Sequence, residues 1–258
     1  MEYDSVLFYL RDRSYDREES VMNKRYELTP EMRRKLERKR KARKRQLCRV
    51  LSFGILFVIL IVGILYKLNS MPHKYYYNSD FGIATYKSQV DKDEDGIDDQ
   101  SDILFGVRDY IDDKPKYKSV YYADGYPTDE YGVCTDVVAQ GFLHAGYDLM
   151  QLVNADILLH PDDYDIDKPD INIDFRRVRN LHVYFQHTAI SLTTDVTNIK
   201  EWQGGDIVIF KNHIGVVSDR RNHKGIPFVI HHGSPNQIGY EQDILEGRDD
   251  IIGHFRIN

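Results

Sequence analysis

Positive charge is outnumbered over most of this chain, and cysteine is scarce throughout. Beyond residue 66 there are 19 Lys and Arg against 32 Asp and Glu, while the whole chain carries a net charge of −6. Phosphate binding needs a positive surface, so an acidic main domain argues against a nucleic-acid partner. No internal repeat is present, and no low-complexity tract besides one basic run. The 258 residues suffice for one sizeable domain with accessory segments.

One stretch lacks charge of either sign. Val50–Leu65 is nearly all aliphatic or aromatic, and with Leu47, Cys48 and Tyr66 at its ends it approaches the ~20 residues that cross a bilayer. A buried core helix is the competing reading, and the flank decides against it. From Met32 to Arg49 there are eleven basic residues and a single Glu. Such charge is retained in the cytoplasm, which puts the N-terminus inside and everything after about Lys67 outside. A long tail precedes the span and no A-x-A-like site follows it, so the expectation is an uncleaved single-pass anchor in the cell membrane. The only two cysteines then lie apart, Cys48 at the inner membrane edge and Cys134 beyond the outer face. An intramolecular disulfide is excluded, and Cys134 is an unpaired thiol in a compartment open to oxidation. Cys48 reads as a palmitoylation candidate or as a small membrane-edge residue.

The expected organisation is a basic cytoplasmic tail over 1–46, an anchor over 47–68, a linker over 69–90, an acidic loop over 91–102 and a main domain over 103–258. In the tail, Thr29-Pro30-Glu31 is a helix start, with Thr as N-cap and Pro in the first turn. The basic run after it reads equally as a helix lying on anionic headgroups or as a topology signal alone. The acidic loop has calcium-loop spacing. Asp91, Asp93 and Asp95 stand at positions 1, 3 and 5, Gly96 at the sharp turn, Ile97 at the carbonyl position, and Asp99 and Asp102 at positions 9 and 12. An Asp at position 12 makes it similar to dockerin and thrombospondin type-3 loops more than to a sensor EF-hand. A structural Ca²⁺ is the expected cofactor, bracing the entry to the domain.

Helices are expected over 103–112, from 137 to Gly146 as C-terminal cap, and over 149–159. An irregular excursion is expected over 160–180, and 181–186 reads as strand or short helix. From Trp202 the pattern turns to strands, at 207–210, 213–217, 228–231 and 251–257, separated by a Lys211-Asn212 turn and a polar loop over 219–225. Helices first and strands afterwards predict an α+β domain, with helices packed on an antiparallel meander.

Cys134 falls where a loop becomes a helix. Unpaired N–H groups and the helix dipole there favour thiolate over thiol. Far downstream, His213 begins a strand and His231 ends the neighbouring one, which is the arrangement of Cys–His nucleophilic catalysis. Tyr122-Ala-Asp-Gly125 precedes Cys134 by twelve residues, and Gly205-Asp-Ile-Val-Ile-Phe210 leads into His213-Ile-Gly-Val216. In these motifs, over about residues 100–258, the chain resembles the NlpC-like cysteine hydrolases, a circularly permuted papain-type superfamily that acts on bacterial cell-wall peptides. Around the nucleophile it carries Val133-Cys134-Thr135-Asp136 where that superfamily has Asp-Cys-Ser-Gly. With NIDFRRVRN and IHH downstream, this variant is similar to an uncharacterised domain-of-unknown-function branch of bacterial envelope proteins.

The resemblance implies Cys134 as nucleophile, His213 as general base and then acid, and His231 as the residue that orients His213. His232 is a rival for the third role, and Tyr122 with a backbone N–H near Cys134 is implied for the oxyanion. The implied function is a membrane-anchored extracytoplasmic amidase or endopeptidase, with a peptidoglycan peptide or another envelope peptide as substrate. Two further readings stay open: a non-catalytic, calcium-stabilised wall- or protein-binding module on the same fold, and a calcium-dependent structural or adhesion protein in which Cys134 is incidental.

Overall fold

The computed structural model describes residues 29–67 and 74–257. Residues 1–28 of the tail expected over 1–46 lie outside the described residues, as do positions 68–73, the end of the expected anchor and the start of the expected linker. The chain divides into two units, Met1–Gly63 and Ile64–Asn258.

The described part of the first unit belongs to helix α1, Pro30–Lys67. Thr29 starts it as expected: its carbonyl accepts from Arg33 N–H at 2.9 Å, and its hydroxyl accepts from Met32 N–H at 3.4 Å. The basic run and the apolar run form one continuous helix rather than two pieces, since neither Pro nor Gly-Pro punctuation separates them. Its most apolar 18-residue window has a mean hydropathy of 2.7 and no part buried against protein, so the helix is long and apolar enough to span a membrane.

In the second unit, helices α2 (Asp99–Asp112), α3 (Cys134–His144), α4 (Leu149–Leu159), α5 (Ile171–Asp174) and α6 (Val178–Thr188) accompany an antiparallel sheet. Two short strands, β1 (Lys116–Tyr117) and β2 (Tyr131–Gly132), pair in parallel beside the start of α3. The main sheet comprises β3 (Ile190–Ser191), β4 (Ile207–Phe210), β5 (His213–Arg221), β6 (Pro227–Ile230), β7 (Glu241–Gln242) and β8 (Ile251–Arg256), in the order β3-β8-β4-β5-β6-β7. The domain is therefore α+β, with an antiparallel sheet.

Strand β4 is buried on both sides, and alternation divides its residues between two cores. Ile207 and Ile209 join Ile214, Val216 and Phe255 under the helices. Val208 and Phe210 join Trp202, Val217, Val229 and Leu245 on the other face. Helix α2 buries Ile103, Leu104, Val107 and Ile111 at helical spacing. It begins four residues earlier than expected, because the Asp98 side chain caps Ser101 N–H. Helices α2 and α3 cross closely at glycine: a Cβ on Gly141 would lie 2.9 Å from the Ile103 carbonyl.

Other boundaries are settled or moved by the structure. Residues 181–186 are helical within α6, burying Asn180, Leu181, Tyr184 and Phe185 on one face. The polar loop expected over 219–225 shrinks, since β5 continues to Arg221. This guanidinium is fully buried and donates to Asn78 Oδ1 (2.6 Å) and to the carbonyls of Gly225 (2.6 Å) and Trp202 (2.5 Å). The last strand does not extend the meander. It pairs with β4 on the opposite side, because β7 already occupies the free edge of β6. The expected linker is also less free than its composition implies: Asn78 is buried and donates to Gln203 Oε1 at 2.8 Å.

Candidate active site

Cys134 is the first residue of α3, preceded by an extended Val133. Asp136, in the first turn, accepts from Val133 N–H at 2.8 Å and fixes that entry. It is fully buried and paired with Arg176, whose Nε and Nη2 lie 2.6 and 2.9 Å from its two oxygens. Arg176 also donates to the Val120 carbonyl at 2.6 Å, tying the loop before β2 to the nucleophile helix. Asp136 thus has a structural task beyond the dipole.

The two-residue turn at Lys211-Asn212 sets Phe210 opposite His213 and delivers His213 at the start of β5. A cleft of about 680 Å³ opens there, lined by Cys134, His213, His231, Gln242, Arg248 and Asp250, together with Tyr117 and several side-chain amides. His213 Nε2 lies 2.9 Å from His231 Nδ1, and His231 Nε2 lies 3.0 Å from Gln242 Oε1. An amide oxygen only accepts, so His231 carries its proton on Nε2 and accepts at Nδ1 from His213 Nε2–H. That leaves His213 Nδ1 unprotonated for proton exchange. The Arg248 guanidinium lies 4.3 Å from the centre of the Phe210 ring, which stacks against His213, and Asp250 holds it at 2.6 and 2.7 Å.

Burial governs the electrostatics. It pushes the Cys134 thiol up to about 11, against the pull of backbone N–H groups at Ile214, Thr135 and Cys134. Loss of solvation therefore opposes the thiolate that a helix N-terminus favours. Burial, with Arg248 next, lowers His213 to about 4, and burial, with His213 next, lowers His231 to about 3. The resting pair is a neutral thiol and a neutral imidazole.

Two expected members stand elsewhere. Tyr122 does not line the cleft, and its hydroxyl donates to Asp129 at 2.7 Å. His232 makes edge-on contacts with Tyr117 at 5.2 Å and with Tyr240 at 5.1 Å, so it is His231, and not His232, that bonds His213. Gln242 and Arg176 have no counterpart in the sequence reading. Gln242 belongs to a two-residue strand without periodic signal, and nothing in RRVRN marks which arginine turns inward.

A family model described as "Domain of unknown function (DUF1287)" matches residues 106–257. The chain belongs to this family. It is also similar to the "Uncharacterized protein YijF" of Escherichia coli (strain K12), with 36% identity over 152 residues, covering 55% of this chain and 72% of that protein. No solved structure matches. Neither finding connects the DUF1287 family to the NlpC-like hydrolases. Cys134, His213, His231, Gln242 and Arg176 all fall within the DUF1287 match, whereas the acidic loop precedes it.

In that loop, Asp91, Asp93 and Asp95 bring carboxylate oxygens within 4.8 Å of one another. Asp99 is not in this cluster. It is fully buried, accepting from Lys92 N–H at 2.7 Å and from the Tyr147 hydroxyl. Asp102 also stands outside the cluster, fully buried in the first turn of α2, and Ile97 is exposed with its N–H bound to Asp95. A second convergence, Asp156, His160 and His187, is accounted for internally. His187 is clasped between Asp156 at 2.7 Å and Asp163 at 3.4 Å.

Proposed function

We propose that this protein is a membrane-anchored cysteine hydrolase whose domain faces the extracytoplasmic side and cleaves an amide bond in an envelope peptide, with peptidoglycan stem peptides as the substrate class. The observation that carries the reading is the relay from Gln242 through His231 to His213, in one cleft with the only cysteine of the domain. The motif resemblance around Tyr122-Ala-Asp-Gly125, Cys134 and His213 supplies the substrate class, and the basic flank of α1 supplies the orientation.

In this mechanism His213 Nδ1 takes the thiol proton as Cys134 Sγ attacks the carbonyl carbon. The proton passes to the leaving nitrogen as the C–N bond breaks, giving a free amine and a thioester. Water then adds to the thioester carbonyl and returns a proton through His213 to sulfur as the S–C bond breaks. His231 fixes the productive tautomer of His213, and Gln242 fixes that of His231. Main-chain N–H groups at the start of α3, rather than Tyr122, serve the oxyanion in this reading. The neutral pair means that His213 acts as a general base during attack, without a stored thiolate.

The neutral thiol also favours a second reading, a wall-peptide binding module that keeps the cleft without turnover. One experiment separates the two: full-length protein in detergent micelles is incubated with purified peptidoglycan, and released fragments are analysed by mass spectrometry. The hydrolase reading expects new amine termini with the wild type and their loss, by about 10³-fold or more, in Cys134→Ala and in His213→Ala. Sedimentation of the protein with peptidoglycan, without released fragments, establishes the binding module instead.

A further inference from the structure

The acidic loop carries more than a sequence motif. The Asp91, Asp93 and Asp95 carboxylates converge, although like charges repel, and among the described residues no ion pair joins any of the three. The second observation is Asp102. Its side chain is fully buried, and neither carboxylate oxygen has a hydrogen-bond partner. Its nearest basic group is His144, at 3.7 Å. His144 closes α3 two residues before Gly146, where a Cβ would meet Asp93 Cβ at 3.1 Å, so this carboxylate and the loop border the same end of α3. A buried carboxylate without a hydrogen-bond donor, close to three more and faced only by His144, is short of compensating positive charge. Asp99 does not share the deficit, because both its oxygens have donors.

We propose that the loop binds one Ca²⁺ through Asp91, Asp93, Asp95 and Asp102, with the Ile97 carbonyl as a further oxygen and water completing the shell. The donor set is all oxygen and rich in carboxylate, which suits a hard cation and offers no nitrogen or sulfur for zinc. Several protein oxygens around one turn fit Ca²⁺ better than Mg²⁺, which retains most of its water. The ion links two elements. Asp102 opens α2, and the loop also abuts the end of α3: a Cβ on Gly146 would lie 3.1 Å from Asp93 Cβ. Asp99 accepts from Tyr147, immediately beyond that helix. The role is to lock the start of α2 to the end of the helix that begins at Cys134. It is independent of whether Cys134 is a nucleophile.

The test is calorimetric titration of CaCl₂ or MgCl₂ into full-length protein in detergent micelles after chelator treatment, paired with thermal melting in EDTA and in calcium. Expected are one Ca²⁺ per chain, a higher melting temperature in calcium and a much weaker response to magnesium. Asp93→Asn, at an exposed position, loses at least about tenfold in affinity while melting like wild type in EDTA. Asp102→Asn also loses the calcium response, yet melts no lower than wild type in EDTA, because the buried charge has gone. Wild-type protein that neither takes up calcium nor melts higher in it overturns the proposal. So does an Asp102→Asn variant that keeps wild-type calcium affinity.

Discussion

At the scale of single residues, the cleft is defined by how solvent is withheld from its two reactive groups. Cys134 is raised to about 11 and His213 lowered to about 4, both chiefly by burial, so the neutral forms coexist across the whole range between. A raised thiol pKa means that thiolate accumulates only as pH climbs toward about 11. Alkylation of Cys134 by iodoacetamide should therefore be slow at pH 7 and keep rising above pH 9, measured by intact mass with Cys48→Ser as background. A reactivity plateau already reached near pH 6 would show an ion pair and contradict the neutral ground state. Cys134, His213 and His231 are legible in the sequence because each sits at the edge of a strongly patterned element. The protonation state is not, because it depends on what the rest of the chain packs over the sulfur. Gln242 is hidden for a related reason: only the pairing of β7 with β6 brings it to His231.

At the scale of elements, α3 is held by a buried ion pair as well as by its apolar face. Asp136 and Arg176 are both almost wholly inaccessible, and the pair joins α3 to the turn between α5 and α6 and to the Val120 carbonyl. Removing one member leaves the other charge buried alone. Arg176→Met is expected to cost about 3–5 kcal/mol in urea unfolding, and adding Asp136→Asn should recover a large part of that loss. A double variant no more stable than Arg176→Met would mean that the arginine acts through its bond to Val120 instead. The strand Ile207–Phe210 and helices α3 and α4 follow directly from periodicity and from Gly and Asp at their ends. Helix α6 is ambiguous in sequence because Val, Tyr and Phe suit either state, and packing of Leu181 and Phe185 into the core decides it. The sheet order is likewise beyond local patterning, since β8 crosses to β4 only when the whole sheet is assembled.

At the scale of the whole molecule, α1 and the domain make opposite demands on charge. The helix concentrates eleven basic residues next to an apolar window, while the rest of the chain is acidic. Cationic flanks stay in the cytoplasm, so the acidic domain is the part expected to be translocated. Calcium in millimolar supply, oxidising conditions and wall peptides all belong to that side, and both proposed activities depend on reaching it. The orientation is testable with a single cysteine at Lys224, which is exposed in the turn between β5 and β6. In a Lys224→Cys variant that also carries Cys48→Ser and Cys134→Ser, a membrane-impermeant maleimide should label intact cells as fully as lysed ones. Labelling only after lysis would place the domain in the cytoplasm. It would also remove wall peptides as substrates while leaving the relay through Gln242, His231 and His213 in need of another one.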